Sequence, residues 1–400
     1  MVGGWSPLLL IVAAVPMVAV ILCFGELNRA EPDCGTCYSW TSRALRPRAG
    51  QLTGWIVIAA CVLVMTNLIQ MAAVYLFTVL GADSLAESRL AQAVAGVALL
   101  AAMAWLAYRG ITVAARVQVA LLIAELLGLV WFAGAALLAD PLPQRVEVDP
   151  SFSGVVAAFL VAVFLYWGWD SSFSVNEEST EPTRTPVAAA LWAMAALVVL
   201  YAGFTWAVTR YAGAGLLAEI GEGDLTAVLA DRLLGSSGGT LLAGAILASA
   251  LASAQTTILP SARSVVAMAH RGDLPAPLGA VQANGSPTAA TWSITVLSAI
   301  AYVALVFSSE AMLADSVAAT ALLVAGYYLI TCATVPLYFG RAAWQRPWRR
   351  MLLPVATAVL FVVVLAESIR DASTTTLAVT AVVAVLGGVV LPWARTRLWA

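Results

Sequence analysis

Charged residues are scarce in this sequence, and lysine is absent from it. Only 10% of the 400 residues carry a charged side chain, and all 20 basic residues are arginine. Soluble proteins average about 25% charged residues. The net charge is −2 and no polybasic run is present, so the sequence lacks the clustered cations with which proteins neutralise nucleic-acid phosphates. We therefore expect no nucleic-acid partner.

Histidine and cysteine are also rare, which leaves little material for a metal site or a catalytic triad. The single histidine is His270, and the C-G-T-C motif of Cys34 and Cys37 lacks the further ligands that a structural zinc site needs. No nucleotide-binding G-x-x-x-x-G-K-[ST] motif is present. We expect no metal, no enzymatic activity and no cofactor other than a coupling ion. The other cysteines lie in apolar stretches typical of inert core residues: Cys23, Cys61 and Cys332.

Apolar residues fill the rest of the chain. The hydrophobic types make up 62%, against about 45–50% in soluble domains even when glycine is counted. A membrane-spanning helix needs about 20 mainly apolar residues. The sequence predicts eleven such spans, at residues 7–25, 52–80, 90–108, 117–138, 153–175, 187–209, 239–262, 289–307, 313–339, 352–366 and 374–393.

The arginines are distributed unevenly between alternate loops, which predicts the orientation of the chain. Fifteen of the 20 basic residues fall in one set of loops and the C-terminal tail, and five fall in the other set. Loops rich in arginine face the cytoplasm. The C-terminus is therefore predicted to be cytoplasmic, and Met1 then lies outside unless a further span precedes it.

The predicted spans repeat at a nearly constant offset. Spans one to four and spans six to nine begin about 180 to 200 residues apart, as in transporters built from inverted repeats. This predicts a first repeat in residues 1–138, a second in 153–340, and two additional C-terminal helices in 352–400. The fifth span opens the second repeat and lacks a counterpart, so we expect a span ahead of residue 1.

Two acidic residues inside predicted spans are the main functional candidates. Glu125 lies in the middle of the fourth span and Asp170 lies in the fifth. An ionisable group in the bilayer centre costs about 2.5–3.5 kcal/mol on insertion scales. A structural alternative is that each side chain bonds to a neighbouring helix or reaches water. The cost of burying a charge makes both acids functional candidates.

The segment around Asp170 predicts an interrupted helix. A glycine stands between two tryptophans and is followed by serines, which compete for backbone hydrogen bonds. Unpaired backbone groups at membrane depth are tolerated only where they line a cavity, and half-helix ends can then bind a carboxylate or a cation. An interfacial tryptophan belt is the alternative. The predicted substrate-binding residues are Tyr166, Trp167, Gly168, Trp169, Asp170 and Ser171.

Polar residues on two other spans are weaker candidates for lining a cavity. Asn67 and Gln70 share a face of the second span, and Ser249, Ser253 and Thr256 fall at helical spacing in the seventh. Such side chains commonly serve helix packing in membranes.

Several segments, taken in order, resemble the amino acid–polyamine–organocation superfamily, in particular bacterial amino acid permeases. They cover nearly the whole chain: F-G-E-L-N-R-A-E-P-D-C-G-T-C-Y (Phe24 to Tyr38), Gly54 with Trp55, Gly110 to Gln118, Tyr166 to Pro186, and Ser261 to Pro287.

This resemblance implies an all-α, inverted five-helix-repeat fold of the leucine-transporter type with two further helices. Substrate would bind between broken helices one and six, and residues 7–25 would correspond to helix two. Residues 166–171 would then form the sixth-helix half of the site, where the backbone receives the α-amino group and Trp167 and Trp169 gate the pocket. Glu125 stands where some relatives have a lysine near the cation site, and the resemblance thus implies that this acid binds a coupling proton or cation.

The resemblance and the candidate residues together predict a permease of the plasma membrane. We expect secondary active import of an amino acid or related amine by alternating access, coupled to protons or Na⁺. The alternatives are a polyamine or organic-cation carrier, and a non-transporting remnant or regulatory protein.

Overall fold

A computed structural model describes residues 3–109, 111–142, 151–220, 225–282, 285–308 and 312–382. In these ranges all regular secondary structure is helical. The helices are α1 (Ser6–Ala30), α2 (Cys37–Ala44), α3 (Pro47–Val79), α4 (Asp83–Ala86), α5 (Arg89–Tyr108), α6 (Ile111–Leu138), α7 (Phe152–Leu165), α8 (Ser171–Ser174), α9 (Thr185–Ile220), α10 (Leu225–His270), α11 (Thr288–Ser308), α12 (Met312–Phe339) and α13 (Leu353–Asp371).

Within the described ranges, nine helices are long and apolar enough to cross a membrane. They coincide with nine of the eleven predicted spans, which confirms a polytopic all-α membrane protein. The predicted span 153–175 is a short helix, α7, followed by a break. The predicted span 374–393 is helical over 374–382, and its remaining residues lie outside the described part of the chain.

The starts of several helices follow from local sequence. Proline occupies the first turn of α1 and of α3, where its missing N–H costs no helical hydrogen bond. The side chain of Ser88 caps α5 by accepting from the Ala91 amide, and that of Ser151 caps α7 by accepting from the Gly154 amide. Serine is among the best N-cap residues because its oxygen accepts from an otherwise unpaired amide.

Two of the long helices change direction at a glycine. Gly213 in α9 and Gly235 in α10 have positive φ angles of 70° and 68°, a conformation that glycine adopts at little steric cost. The membrane-length segments are therefore Thr185–Gly213 and Gly238–His270. The second runs beyond the predicted end at residue 262, and Val265, Val266 and Met268 in its last turns belong to a buried apolar cluster that includes Tyr38.

Helix α3 lies at the centre of the bundle. In its most apolar stretch 78% of the residues are buried, against 11% in the membrane-length part of α6. Helices α10, α12, α11 and α5 all pack against α3. A cluster of aromatic side chains packs α1, α2, the α7–α8 break and α12 against one another. Its members are Phe24, Trp40, Trp169, Phe173 and Tyr328.

Candidate functional site

The fifth span is broken where the sequence predicts an interruption. Helix α7 ends at Leu165, five residues follow in turns, and α8 begins at Ser171. Gly168 has φ +119° at the middle of the break, a conformation that residues with a Cβ rarely adopt. The amide of Ser171 donates to the Gly168 carbonyl at 3.2 Å. The break thus depends on glycine at this position.

A cavity of about 390 Å³ opens beside the break. Residues of α3, α10, α9 and α12 form its other walls. Among its described lining residues Asp170 is the only ionisable carboxylate, and none is arginine or histidine. The remaining wall combines large apolar side chains with many hydroxyl groups. The apolar residues are Val57, Val64, Leu68, Phe164 and Leu165, and the hydroxyl residues are Thr36, Ser171, Ser174, Tyr201, Ser253, Thr256, Thr257, Ser264 and Tyr327.

Asp170 is held by two aromatic side chains. The hydroxyl of Tyr327, on α12, donates to Asp170 Oδ2. Trp167 Nε1 donates to the Tyr327 hydroxyl at 2.6 Å and lies 3.3 Å from the same carboxylate oxygen. This closed set of three side chains fixes the carboxylate and ties the break to α12.

Tyr166 and Trp169, although predicted as binding residues, direct their side chains into the protein core. The Tyr166 hydroxyl donates to the Leu10 carbonyl at 2.9 Å. Trp169 stacks on Tyr328 with ring centroids 5.6 Å apart, and Phe24 meets it edge-on. These contacts anchor the two ends of the break, whereas Trp167, Gly168, Asp170 and Ser171 line the cavity.

The predicted row of polar residues on α10 is divided between two places. Ser253 and Thr256 line the cavity. Ser249, one turn earlier, makes a side-chain hydrogen bond with Glu125 of α6. Pro260, also in the cavity wall, has no N–H, so it cannot donate to the carbonyl of Thr256 four residues before it. The Thr256 carbonyl therefore lacks its usual helical hydrogen-bond donor.

Asn67, Gln70 and Glu125 lie outside the cavity wall. Asn67 donates to Ser316 of α12 at 3.2 Å. Gln70 donates to Gln92 at 3.0 Å and accepts from Tyr302 at 3.0 Å. These bonds join α3 to its neighbours, so Asn67 and Gln70 serve helix packing, as polar side chains inside spans commonly do. Glu125 is half-buried on α6.

A second cavity of about 420 Å³ adjoins the first and shares Ser171, Thr256 and Pro260 with it. Its wall is mainly apolar, and an ion pair between Arg263 and Glu178 stands at its edge. Gln255 is buried there, and its Oε1 has no hydrogen-bond partner among the described residues. The two cavities together extend from the break towards the loops predicted to be cytoplasmic.

Sequence analysis missed the cavity residues outside the fifth and seventh spans. Tyr327 is the first of two adjacent tyrosines in an otherwise apolar span. Cys37 and Cys61 also line the cavity, although the sequence indicated only structural or inert roles for them. Tyr201 lies in the apolar span of α9, where no adjacent polar residue indicates a cavity. For Tyr327, the available signal is the tyrosine pair itself, since a buried tyrosine hydroxyl far from either end of a span usually has a hydrogen-bond partner.

Asp33, Cys34 and Glu177 form a compact group at the end of the bundle predicted to be cytoplasmic, with ligand atoms within 4.8 Å of one another. The two acids already have partners, since Arg271 donates to Asp33 at 2.7 Å and the Cys34 amide donates to Glu177 at 2.9 Å. Burial, assisted by both carboxylates, raises the pKa of the Cys34 thiol to about 12. The group is thus a structural junction between loops.

Comparison with known proteins identifies the family of this chain. The family model described as amino acid permease matches residues 1–391. The chain belongs to the amino acid permease family. The permease is also 22% identical over 380 residues to the branched-chain amino acid permease BcaP of Lactococcus lactis subsp. cremoris (strain MG1363), an alignment that covers 88% of this chain and 79% of the relative. Amino acid transport in a multi-pass membrane protein is therefore its general function.

Proposed function

We propose that this permease imports a neutral amino acid with an aliphatic side chain. The observation that carries the proposal is the position of Asp170, the single carboxylate in the described cavity wall, at the helix break. It would receive the substrate ammonium group together with backbone groups of the break. The apolar wall on α3 and α7 would contact the aliphatic side chain. The similarity to a branched-chain amino acid permease supports the same substrate class.

The test is uptake into proteoliposomes that contain the purified permease. Leucine, isoleucine and valine should be taken up and should compete with one another, whereas putrescine should compete weakly. Asp170→Asn should abolish uptake because it removes the charge that binds the ammonium. The matched control is Asp273→Asn, a buried acid outside this cavity that is bonded to Tyr38 and Gln51. Stronger competition by putrescine would instead establish an organic-cation carrier.

The organic-cation carrier is the second candidate, and one observation favours it. The described cavity wall offers an acid for an ammonium group and no cationic side chain for a carboxylate. A diamine with no carboxylate would need no such group. Absence of uptake of any of these substrates by correctly folded protein would contradict both candidates and favour a non-transporting protein.

We further propose that Glu125 carries the coupling proton. Its half-buried position beside Ser249 places it between α6 and α10, and α10 also lines the cavity. Glu125→Gln should abolish the pH dependence of uptake while leaving substrate exchange intact. Ser249→Ala is the control, since it removes the hydrogen bond and keeps the carboxyl group. Uptake by Glu125→Gln that still follows pH would show that the proton binds elsewhere.

The adjoining cavities support alternating access as the transport mechanism. Cys61 lies in the wall of the first cavity, so its thiol can report which side of the membrane that cavity faces. In a variant with the other four cysteines replaced by serine, a membrane-impermeant methanethiosulfonate should label Cys61 from either side, and substrate should slow both reactions. Labelling from one side only, under every substrate condition, would contradict alternating access.

A further inference from the structure

The chain between α12 and α13 surrounds one buried carboxylate with arginines. Glu26 of α1 is 2% exposed. Arg29 Nη1 lies 3.0 Å from Glu26 Oε1, and Arg350 Nε lies 2.9 Å from Oε2. The Nη1 atoms of Arg346 and Arg349 are each 3.9 Å from Oε1. Four guanidinium groups thus share one carboxylate, which leaves the cluster with an excess of positive charge.

Arg346 and Arg349 are the most exposed arginines of the cluster, while Arg29 is 40% exposed and is bonded to Glu26. The side chains of Arg346 and Arg349 are 57% and 52% exposed. At 3.9 Å they lie beyond hydrogen-bond distance of Glu26, whose two oxygens are occupied by Arg29 and Arg350. Each guanidinium carries five N–H donors in a planar fork that matches phosphate oxygens. The pair therefore offers an anion site on the surface of the cluster.

Exposed apolar side chains are close to these two arginines in the sequence. Trp344, Trp348 and Leu352 are 67%, 66% and 59% exposed. One candidate span ends at Gln345 and the next begins at Trp348, so the segment lies at the edge of the hydrocarbon layer. Tryptophan prefers this interfacial depth. A soluble anion or an acidic protein would leave these indoles in water, whereas a phospholipid would contact them with its glycerol and acyl groups.

The geometry of the segment is fixed by contacts with the bundle. The Arg350 guanidinium lies 3.9 Å from the centroid of the Phe339 ring, in addition to its bond with Glu26. The arginine asymmetry of the sequence predicts that this end of the bundle is cytoplasmic, and the cytoplasmic leaflet is the one that carries anionic lipids. The two arginines, the exposed indoles and the predicted cytoplasmic position are thus all consistent with an anionic phospholipid as the ligand.

We propose that Arg346 and Arg349, with Trp344 and Trp348, bind the phosphodiester headgroup of an anionic phospholipid. The phosphate accepts hydrogen bonds from both guanidiniums, and the indoles contact the glycerol backbone. This site is separate from the cavity at the helix break and does not depend on which substrate is transported.

Titration of the purified full-length permease with phosphatidylglycerol in detergent micelles, followed by native mass spectrometry, tests the site. Phosphatidylglycerol should bind more tightly than phosphatidylcholine. Arg346→Gln combined with Arg349→Gln should weaken phosphatidylglycerol binding about 25-fold, since each surface guanidinium contributes about fivefold. The matched control is Arg370→Gln, at the far end of α13, where the guanidinium pairs with Glu367 at 2.9 Å. It should leave binding unchanged.

Further variants distinguish phospholipid binding from misfolding and from a free phosphate site. Arg346→Lys with Arg349→Lys keeps both charges but not the planar forks, so it should bind phosphatidylglycerol more tightly than the glutamine variant and less tightly than the native protein. An unchanged elution volume of the glutamine variant excludes misfolding. Trp344→Ala with Trp348→Ala, in a protein of unchanged elution volume, should weaken the lipid complex. Equal affinity for glycerol phosphate would overturn the proposal in favour of a free phosphate site. Equal affinity for phosphatidylcholine, or an equal loss in Arg370→Gln, would overturn it as well.

Discussion

The hydroxyl of Tyr327 donates a hydrogen bond to the carboxylate of Asp170, a residue 157 positions earlier in the sequence. The same hydroxyl accepts from Trp167 Nε1 at 2.6 Å. One tyrosine on α12 therefore orients two of the polar side chains that the broken span directs into the cavity, Trp167 and Asp170. Its position also means that a movement of α12 relative to the break would release the carboxylate.

Replacement of Tyr327 by phenylalanine should impair substrate binding more than folding. The variant loses the hydrogen bond that Tyr327 donates to Asp170 and the one that it accepts from Trp167, and loss of a buried hydrogen-bond partner costs about 1–3 kcal/mol. We expect the KM for uptake to rise at least about fivefold. Tyr302→Phe is the matched control, because it also loses buried hydrogen bonds, to Gln70 and the Gln92 carbonyl, away from the cavity. An equal KM in both variants would contradict the role of Tyr327.

Gly168→Ala should destabilise the break through backbone strain alone. A Cβ on Gly168 would meet no atom within 4 Å, but its φ of +119° is one that alanine rarely adopts. The cost of such a conformation is about 1–3 kcal/mol. We expect a lower melting temperature in detergent and slower uptake. Gly203→Ala on α9, also free of contacts within 4 Å and without a positive φ, should show neither effect.

Gly96 allows Tyr302 to lie against α5. A Cβ at this position would stand 2.3 Å from the Tyr302 ring, so Gly96→Ala must displace a side chain that bonds to Gln70 at 3.0 Å. Overpacking of this kind costs about 1–3 kcal/mol. Thermal unfolding should detect the loss, with Gly134→Ala, which has open space around its Cβ position, as the control. Similar melting temperatures for the two variants would refute the close approach.

Cys34 should react slowly with maleimide, in part because the negative charge of Glu177 raises the pKa of its thiol. Burial, then the charges of Glu177 and Asp33, raise the pKa of Cys34 to about 12. At pH 8 the reactive thiolate is therefore a very small fraction of the thiol. Glu177→Gln removes a negative charge, lowers the pKa and should accelerate labelling several-fold as measured by mass spectrometry. Arg263→Gln removes a charge that lowers the pKa, and should slow it. An acceleration in both variants would indicate loosened packing instead.

Nine of the eleven predicted spans, the family and the helix break agree with the predictions from local sequence. Runs of about 20 apolar residues define spans wherever they occur along the chain. The G-W-D-S-S segment predicts the break because glycine and serine weaken a helix locally. The ordered match to permease motifs predicts the family, which the family model confirms over residues 1–391.

The membership of the cavity wall could not be predicted in the same way. Asn67 and Ser253 are both polar residues inside spans, yet only Ser253 lines the cavity, while Asn67 bonds to Ser316. Tyr166 and Trp167 are adjacent, yet one enters the core and the other the cavity. Neighbours along an irregular segment have no fixed periodicity, so their directions depend on what surrounds them.

Sequence alone thus determined that this chain is an all-α membrane permease with a broken fifth span, because hydropathy and helix propensity act over short stretches of chain. Tertiary structure decided which side chains meet. The contacts of Asp170 with Tyr327, of Glu125 with Ser249 and of Glu26 with Arg350 each join residues more than a hundred positions apart. The relative rotation and depth of packed helices set such contacts, and no local pattern encodes them.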